Sequence, residues 1–300
     1  MLITSAAVGN HGRRPSRAVL LAVVIAAVWA VSRAPVYEAA QVTRDAPETP
    51  LPSLAIELRP VFSQRRPILD IALRGNELYV LDGTGLTVYL RSGDVRDGTW
   101  KRQQSLPIVA REPWPRDLRG LMTTLLGGLT VQLPGLRCSS ALPPVALDCA
   151  PETAWPIFEL DVPVQLRRNM FVTPSGVEFY AVAQTDRADM AGASYVAGTR
   201  DGYLTLLDNA GRPLTRLIAG DDVASLLDRC YRQLQLLVRL DGPAGDSLGV
   251  FQIRNRQLVR TAPPRVLQGQ ITALWPGRMV VRANDPDRYD AYQIDLACVR

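Results

Sequence analysis

The chain of 300 residues has one histidine, His11, and one lysine, Lys101. Beyond His11, then, no side chain has an ordinary pKa near neutrality. This excludes Ser-His-Asp and Cys-His catalysis and zinc sites built on histidine. A phosphate-cradling loop is missing too, because Gly127-Gly128 precedes neither a lysine nor a helical pattern. Charge of one sign is also scarce once the N-terminus is set aside. Residues 1–40 carry Arg13, Arg14, Arg17 and Arg33 against Glu38, so of the net +5 only +2 is left for the rest. The arginines there are dispersed among acids, as on a solvated surface, and nucleic acid is not an expected partner.

What is present is an ordinary globular composition, 47% hydrophobic and 21% charged, with enough apolar material for a sizeable core. Arg13, Arg14 and Arg17 lead into Ala18–Val31, AVLLAVVIAAVWAV, a helix-length run with no charge. A basic stretch followed by such a run is the pattern of an export signal. It is short of the roughly 20 residues that a membrane span needs. Ser32-Arg33-Ala34 could be cut by a peptidase, although Pro35 hinders it, and Tyr37–Ala40 is a second option. No cysteine follows for a lipid anchor. The expectation is a signal peptide or signal-anchor over 1–34, with retention favoured and the arginines inside the inner membrane. A Pro/Ala-rich tether covers 35–53, and a folded domain outside the membrane, periplasmic or secreted, covers 54–300.

The cysteines are Cys138, Cys149, Cys230 and Cys298. An even number in an oxidising compartment points to disulfides, and their spacing does not suit zinc. Three pairings exist. Cys138–Cys149 with Cys230–Cys298 is the most economical, closing a proline-containing loop and tying down the C-terminal strand.

From Leu54 onward short alternating runs replace helical periodicity. Ile68–Leu73, Glu77–Leu81, Leu86–Leu90 and Trp100–Val109 form a meander with turns at Gly75-Asn76, Asp82–Gly85 and Asp97-Gly98. In Leu86–Leu90 the aliphatic residues share one face and Thr87 and Tyr89 the other. A less regular set follows at Leu118–Thr124 and Leu129–Leu133. Met170–Thr173, Val177–Gln184, Ser194–Thr199 and Tyr203–Leu207 read as one further set. Leu234–Leu240, Ser247–Ile253, Ile271–Trp275, Met279–Ala283 and Asp290–Leu296 complete the series. A brief helix is expected only at Asp222–Tyr231. Recurring meanders of this kind predict an all-β fold, a β-propeller of about five or six four-stranded blades after the N-terminal apolar helix. Leu54–Phe62 supplies the strand that closes the ring. A pair of β-sandwiches is the alternative.

The runs Gly75–Asp82, Ala197–Asp208 and Ile271–Pro276, with Tyr289–Tyr292 and Cys298, resemble blades of bacterial secreted or envelope β-propeller repeat proteins. The likeness extends over most of residues 60–298 and implies a scaffold, not an activity. The WD dipeptide repeat is absent. Ser92–Trp100 is similar to the Asp-box of sialidase-type propellers, but Arg96 stands where glycine is expected. The quinone-propeller signature is not repeated, so no cofactor is expected.

Paired carboxylates are the remaining catalytic route. Asp221-Asp222 and Asp285, Asp287 and Asp290 are the dense candidates, each read as a polar turn. Calcium at Asn284–Asp290 is disfavoured because Pro286 interrupts the spacing. No catalytic, cofactor or metal residue is assigned. The expected function is a non-catalytic binding or assembly module of the cell envelope, with an envelope protein or polysaccharide as partner and Trp114 and Trp155 as candidate surface aromatics. The alternative is a carbohydrate-active hydrolase using acidic residues at a propeller funnel.

Overall fold

The computed structural model describes residues 54–299 apart from 94–97, 110–117, 126, 153–164, 168–169, 174–175, 186–192, 200, 255–256 and 286–287. All of them fall in the second of two units, Ala39–Arg300. Ala18–Val31, the tether, Trp114 and Trp155 therefore lie outside the described residues, as does the centre of Ser92–Trp100. Among the described residues no helix is long and apolar enough to cross a membrane.

Strand β1 (Leu54–Gln64) comes first. Sheet one then runs β2 (Asp70–Arg74), β3 (Glu77–Asp82), β4 (Gly85–Ser92) and β5 (Thr99–Pro107). Sheet two has β6 (Leu121–Leu125), β7 (Gly128–Leu133), β8 (Leu136–Ala141) and β9 (Asp148–Pro151). A three-stranded sheet of β10 (Gln165–Arg167), β11 (Met170–Val172) and β12 (Glu178–Phe179) follows. Next come β13 (Ala181–Gln184), β14 (Ala193–Gly198), β15 (Tyr203–Asp208) and β16 (Pro213–Ala219). The fifth set is β17 (Val223–Leu227), β18 (Leu234–Leu240), β19 (Ser247–Arg254) and β20 (Gln257–Val266). The last is β21 (Gly269–Trp275), β22 (Arg278–Ala283) and β23 (Tyr289–Cys298), onto which β1 adds as fourth strand.

Each sheet is an antiparallel meander, in sequence order except where β1 joins β23, and together they form an all-β propeller. Strand β1 pairs with β23 from Leu54 opposite Cys298 to Gln64 opposite Tyr289, so the two ends of the domain share one sheet. This removes a free C-terminal edge. The first strands β2, β6, β13, β17 and β21 face a common axis, since residues of all of them line a cavity of about 670 Å³. Apolar side chains between neighbouring sheets make the core, with Ile71, Leu121, Phe179, Val182 and Trp275 in one cluster drawn from different sheets.

Four expectations need correction. Among the described residues the four-stranded blades are not uniform, because five sheets have four strands and β10–β12 has three. Val177–Gln184 is not one strand: Phe179 pairs with Phe171, whereas Ala181 pairs with Gly198 in the next sheet. The break is at Tyr180, whose N–H bonds Gly198 O. Asp222–Tyr231 is not helical. Val223–Leu227 is strand, and the Asp228 carboxylate then organises a turn by accepting from Tyr231 N at 2.6 Å, Gln233 N at 3.2 Å and Gln235 Nε2 at 2.8 Å. An acidic side chain that captures local N–H groups competes with the helical ladder. Lastly, β4 is not half-buried along its length, since Thr87 is buried with Leu86 and Val88 while Leu90 is exposed. A sheet packed between two neighbours buries both faces near the axis.

Both disulfides have the most economical pairing. Cys138 and Cys149 sit directly opposite on β8 and β9. Cys230–Cys298 fastens the β17–β18 turn to the end of β23.

Candidate functional site

Strand β2 opens with Asp70, a fully buried carboxylate inside the apolar run Ile68–Leu73. An isolated charge there would be prohibitive, so it has to be paired. Asp70 Oδ1 accepts from Arg278 Nε at 2.5 Å and from Ile71 N at 2.8 Å. Its Oδ2 accepts from Arg278 Nη2 at 2.8 Å and from Met122 N at 2.7 Å. Arg278 Nη2 also donates to Met122 O at 2.9 Å. One carboxylate thus joins β2, β6 and β22, which belong to three sheets.

Asp222, next to β17, repeats the device. Its Oδ1 accepts from Val223 N and from Arg119 Nη2, both at 3.0 Å. Arg119 in turn donates to Tyr180 O and stacks over the Tyr180 ring at 4.3 Å and the Trp275 ring at 5.4 Å. Asp246 is the third case, bonded by Ile271 N at 2.6 Å and ion-paired with Arg239 Nε at 2.8 Å. Burial pushes the Asp70, Asp222 and Asp246 carboxyls up from the usual range, while their arginines pull them back.

Above this layer opens a mouth of about 580 Å³ at the N-terminal ends of the first strands, lined by residues including Arg66, Thr84, Tyr180, Gln270, Arg282 and Tyr289. Among the described residues its two carboxylates are both engaged. Asp222 holds Arg119. Asp82 accepts from Thr84 N at 2.7 Å and Gly85 N at 3.1 Å, and lies 3.6 Å from Arg66. On the far wall the polar side chains belong to one sheet. Gln270 is opposite Arg282, and Arg282 is opposite Tyr289. Residues directly opposite across strands point to the same face. Gly269 lets β21 come this close to β22: with φ +155°, its place offers a Cβ only 2.2 Å from Arg282 O. A second hollow of about 430 Å³, walled by the Gly242–Asp246 turn, shares Gln270 and Arg282 with the mouth.

The acidic candidates from the sequence are divided. Asp222 lies at the mouth, and Asp221 is 3.6 Å from Arg239. Asp290 accepts from Ser63 Oγ at 2.6 Å and Arg288 Nε at 3.2 Å, and Asp285 O accepts from Arg288 N, an arrangement of turns. Asp287 lies outside the described residues. Among the described residues no group of three or more His, Cys, Asp or Glu could hold a metal ion. Sequence reasoning missed Asp70, Arg119, Arg278 and the Gln270–Arg282–Tyr289 row. Asp70 did carry a signal, a carboxylate interrupting an apolar run. The row carried none, because its members are far apart in sequence and register alone brings them together.

No family model matches the chain, and no curated protein matches it. Solved structures do. The Pan2 WD40 domain of Neurospora crassa is 11% identical, with 76% of this chain and 75% of that one covered and a TM-score of 0.44. A PQQ-bound aldose sugar dehydrogenase from Streptomyces coelicolor is 11% identical over 81% of this chain and 99% of that one, with a TM-score of 0.44. Hsv2 of Kluyveromyces lactis is 14% identical over 72% and 71%, with a TM-score of 0.36. At such identities the chain is similar to these proteins in overall fold alone.

Proposed function

We propose that the domain is a non-catalytic binding or assembly module of the cell envelope, held outside the inner membrane and anchored through Ala18–Val31, and that it engages its envelope partner at the channel mouth. The observation that carries this reading is the use of both carboxylates that line the mouth among the described residues as structural groups: Asp222 is paired with Arg119, and Asp82 caps a turn. A glycoside hydrolase needs two free carboxyl groups on either side of the scissile bond. Two disulfides and no free cysteine among the described residues suit an oxidising compartment.

The full chain, purified in detergent, is sedimented with isolated cell-wall sacculi and envelope polysaccharide and assayed for released reducing ends. Retention without release is expected. Release abolished by Asp222→Asn would overturn the proposal in favour of a hydrolase. Retention on no envelope polymer and on no purified envelope protein would overturn it altogether. The hydrolase reading keeps one favourable observation, the raised Asp222 carboxyl at the mouth, which is a property of general acids.

A further inference from the structure

The row formed by Gln270, Arg282 and Tyr289 differs from every other charged cluster described above. Among the described residues none of the three side chains has a hydrogen bond or ion pair, although they lie side by side on β21, β22 and β23. Gln270 and Arg282 are exposed, whereas Tyr289 is half-buried and packs against the core, which fixes its ring. The guanidinium thus stands between an amide and a phenol on one rigid face, with no acid among the described residues paired to it.

The surroundings decide what could lie there. The mouth and the second hollow are both lined by Gln270 and Arg282, so these two side chains are reached from either one. Side chains shared by two neighbouring hollows suit a segment of chain that reaches both better than a compact molecule. The second hollow is walled by the Gly242–Asp246 turn, whose one carboxylate, Asp246, is paired with Arg239. That wall has no apolar pocket of the sort that anchors a peptide side chain. A planar guanidinium matches a carboxylate in a two-pronged hydrogen bond. An amide can donate to one hydroxyl and accept from another. An aromatic ring offers an apolar face with a polar tip.

We infer that the Gln270–Arg282–Tyr289 row binds a uronic-acid segment of an acidic polysaccharide, Arg282 taking the sugar carboxylate, Gln270 a ring hydroxyl and Tyr289 the apolar face of the pyranose. This inference rests on the binding-module reading and narrows it to one ligand class.

The test uses full-length protein in detergent and isothermal titration with oligogalacturonate, its methyl ester and oligoglutamate. Oligogalacturonate should bind, at least tenfold tighter than the neutral ester, and more weakly as salt is raised. Arg282→Ala should lose at least tenfold, and Arg282→Lys should recover part of it. Tyr289→Phe should keep binding, because its ring remains, while Tyr289→Ala should weaken it. Equal affinity for acid and ester, or an unchanged Arg282→Ala variant with a wild-type melting curve, would overturn the inference. Oligoglutamate binding with the same dependence on Arg282 would replace the saccharide with an acidic peptide. If no uronate binds while sacculi or an envelope protein still do, this inference fails and the broader reading stands.

Discussion

Two groups of charged residues lie within one propeller and are used in opposite ways. At the channel layer Asp70, Asp222 and Asp246 are buried, and each holds an arginine and a backbone N–H. At the mouth Arg282 is exposed and has no hydrogen bond or ion pair among the described residues. The first arrangement is what a sheet protein needs when carboxylates sit inside its core. The second contributes little to the fold and leaves the side chain free for a partner. Pairing, not the mere presence of charge, separates structure from recognition here.

The comparison breaks most severely at Asp70. Asp70→Ala leaves the partly buried Arg278 guanidinium without its counter-charge and with only Met122 O to accept from it, which costs about 3–5 kcal/mol. At about 2–4 °C per kcal/mol for a domain of this size, the melting temperature should fall by roughly 6–20 °C. Asp70→Leu combined with Arg278→Met removes both charges and should recover much of that loss. A double variant as unstable as the single one would mean that the pair is not what joins the three sheets.

The disulfides sharpen the comparison at the next level of magnitude. Their closed loops span 68 and 11 residues. Loop-closure entropy then assigns about 4 kcal/mol to Cys230–Cys298 and about 3 kcal/mol to Cys138–Cys149. Denaturant titration of the paired serine variants should therefore rank the first as the more damaging. The reverse order would show that strand pairing within β8 and β9 depends on its bridge more than ring closure does.

How much of this was legible follows from which forces act locally. Gly75-Asn76 and Asp82–Gly85 mark turns by their own chemistry, so the meander around them could be read directly. The closing strand was legible because the last set, Ile271–Leu296, was one strand short and Leu54–Phe62 had no other partner. The split at Tyr180 was not, since Val177–Gln184 is continuous in pattern and only packing between sheets divides it. Asp222–Tyr231 misled because acidic and aliphatic residues there fit a helix, whereas Asp228 spends its carboxylate on the turn. Registers between strands are set by the whole sheet, so the Gln270–Arg282–Tyr289 row could not be foreseen from any local window.

Acidity tests whether burial or pairing dominates at Asp222. Burial raises its carboxyl above the ordinary 3.8, against the pull of Arg119. A carboxyl raised in the folded state binds its proton more tightly there than in the unfolded chain. Its stabilisation is then complete below 3.8 and is lost as pH rises through the folded value. Asp222→Asn cannot titrate, so its cost relative to the native protein should shrink as pH rises from the acid side toward neutrality. Urea titrations at several pH values would show this directly. A cost that grows with pH would mean that Arg119 outweighs burial.

The smallest expected effect is the most discriminating. Arg282→Ala removes an exposed side chain with no partner among the described residues, and such changes usually stay within about 0.5 kcal/mol. Its melting curve should therefore overlay that of the native protein, in contrast to Asp70→Ala. A loss of more than about 1 kcal/mol would place Arg282 among the structural arginines and remove the basis for treating the row as a binding surface. An unchanged curve leaves the guanidinium with no structural task, and any loss of ligand in the same variant then belongs to the contact itself. Arginines buried at the channel layer could never be tested so cleanly, because their removal would perturb the scaffold along with whatever it binds.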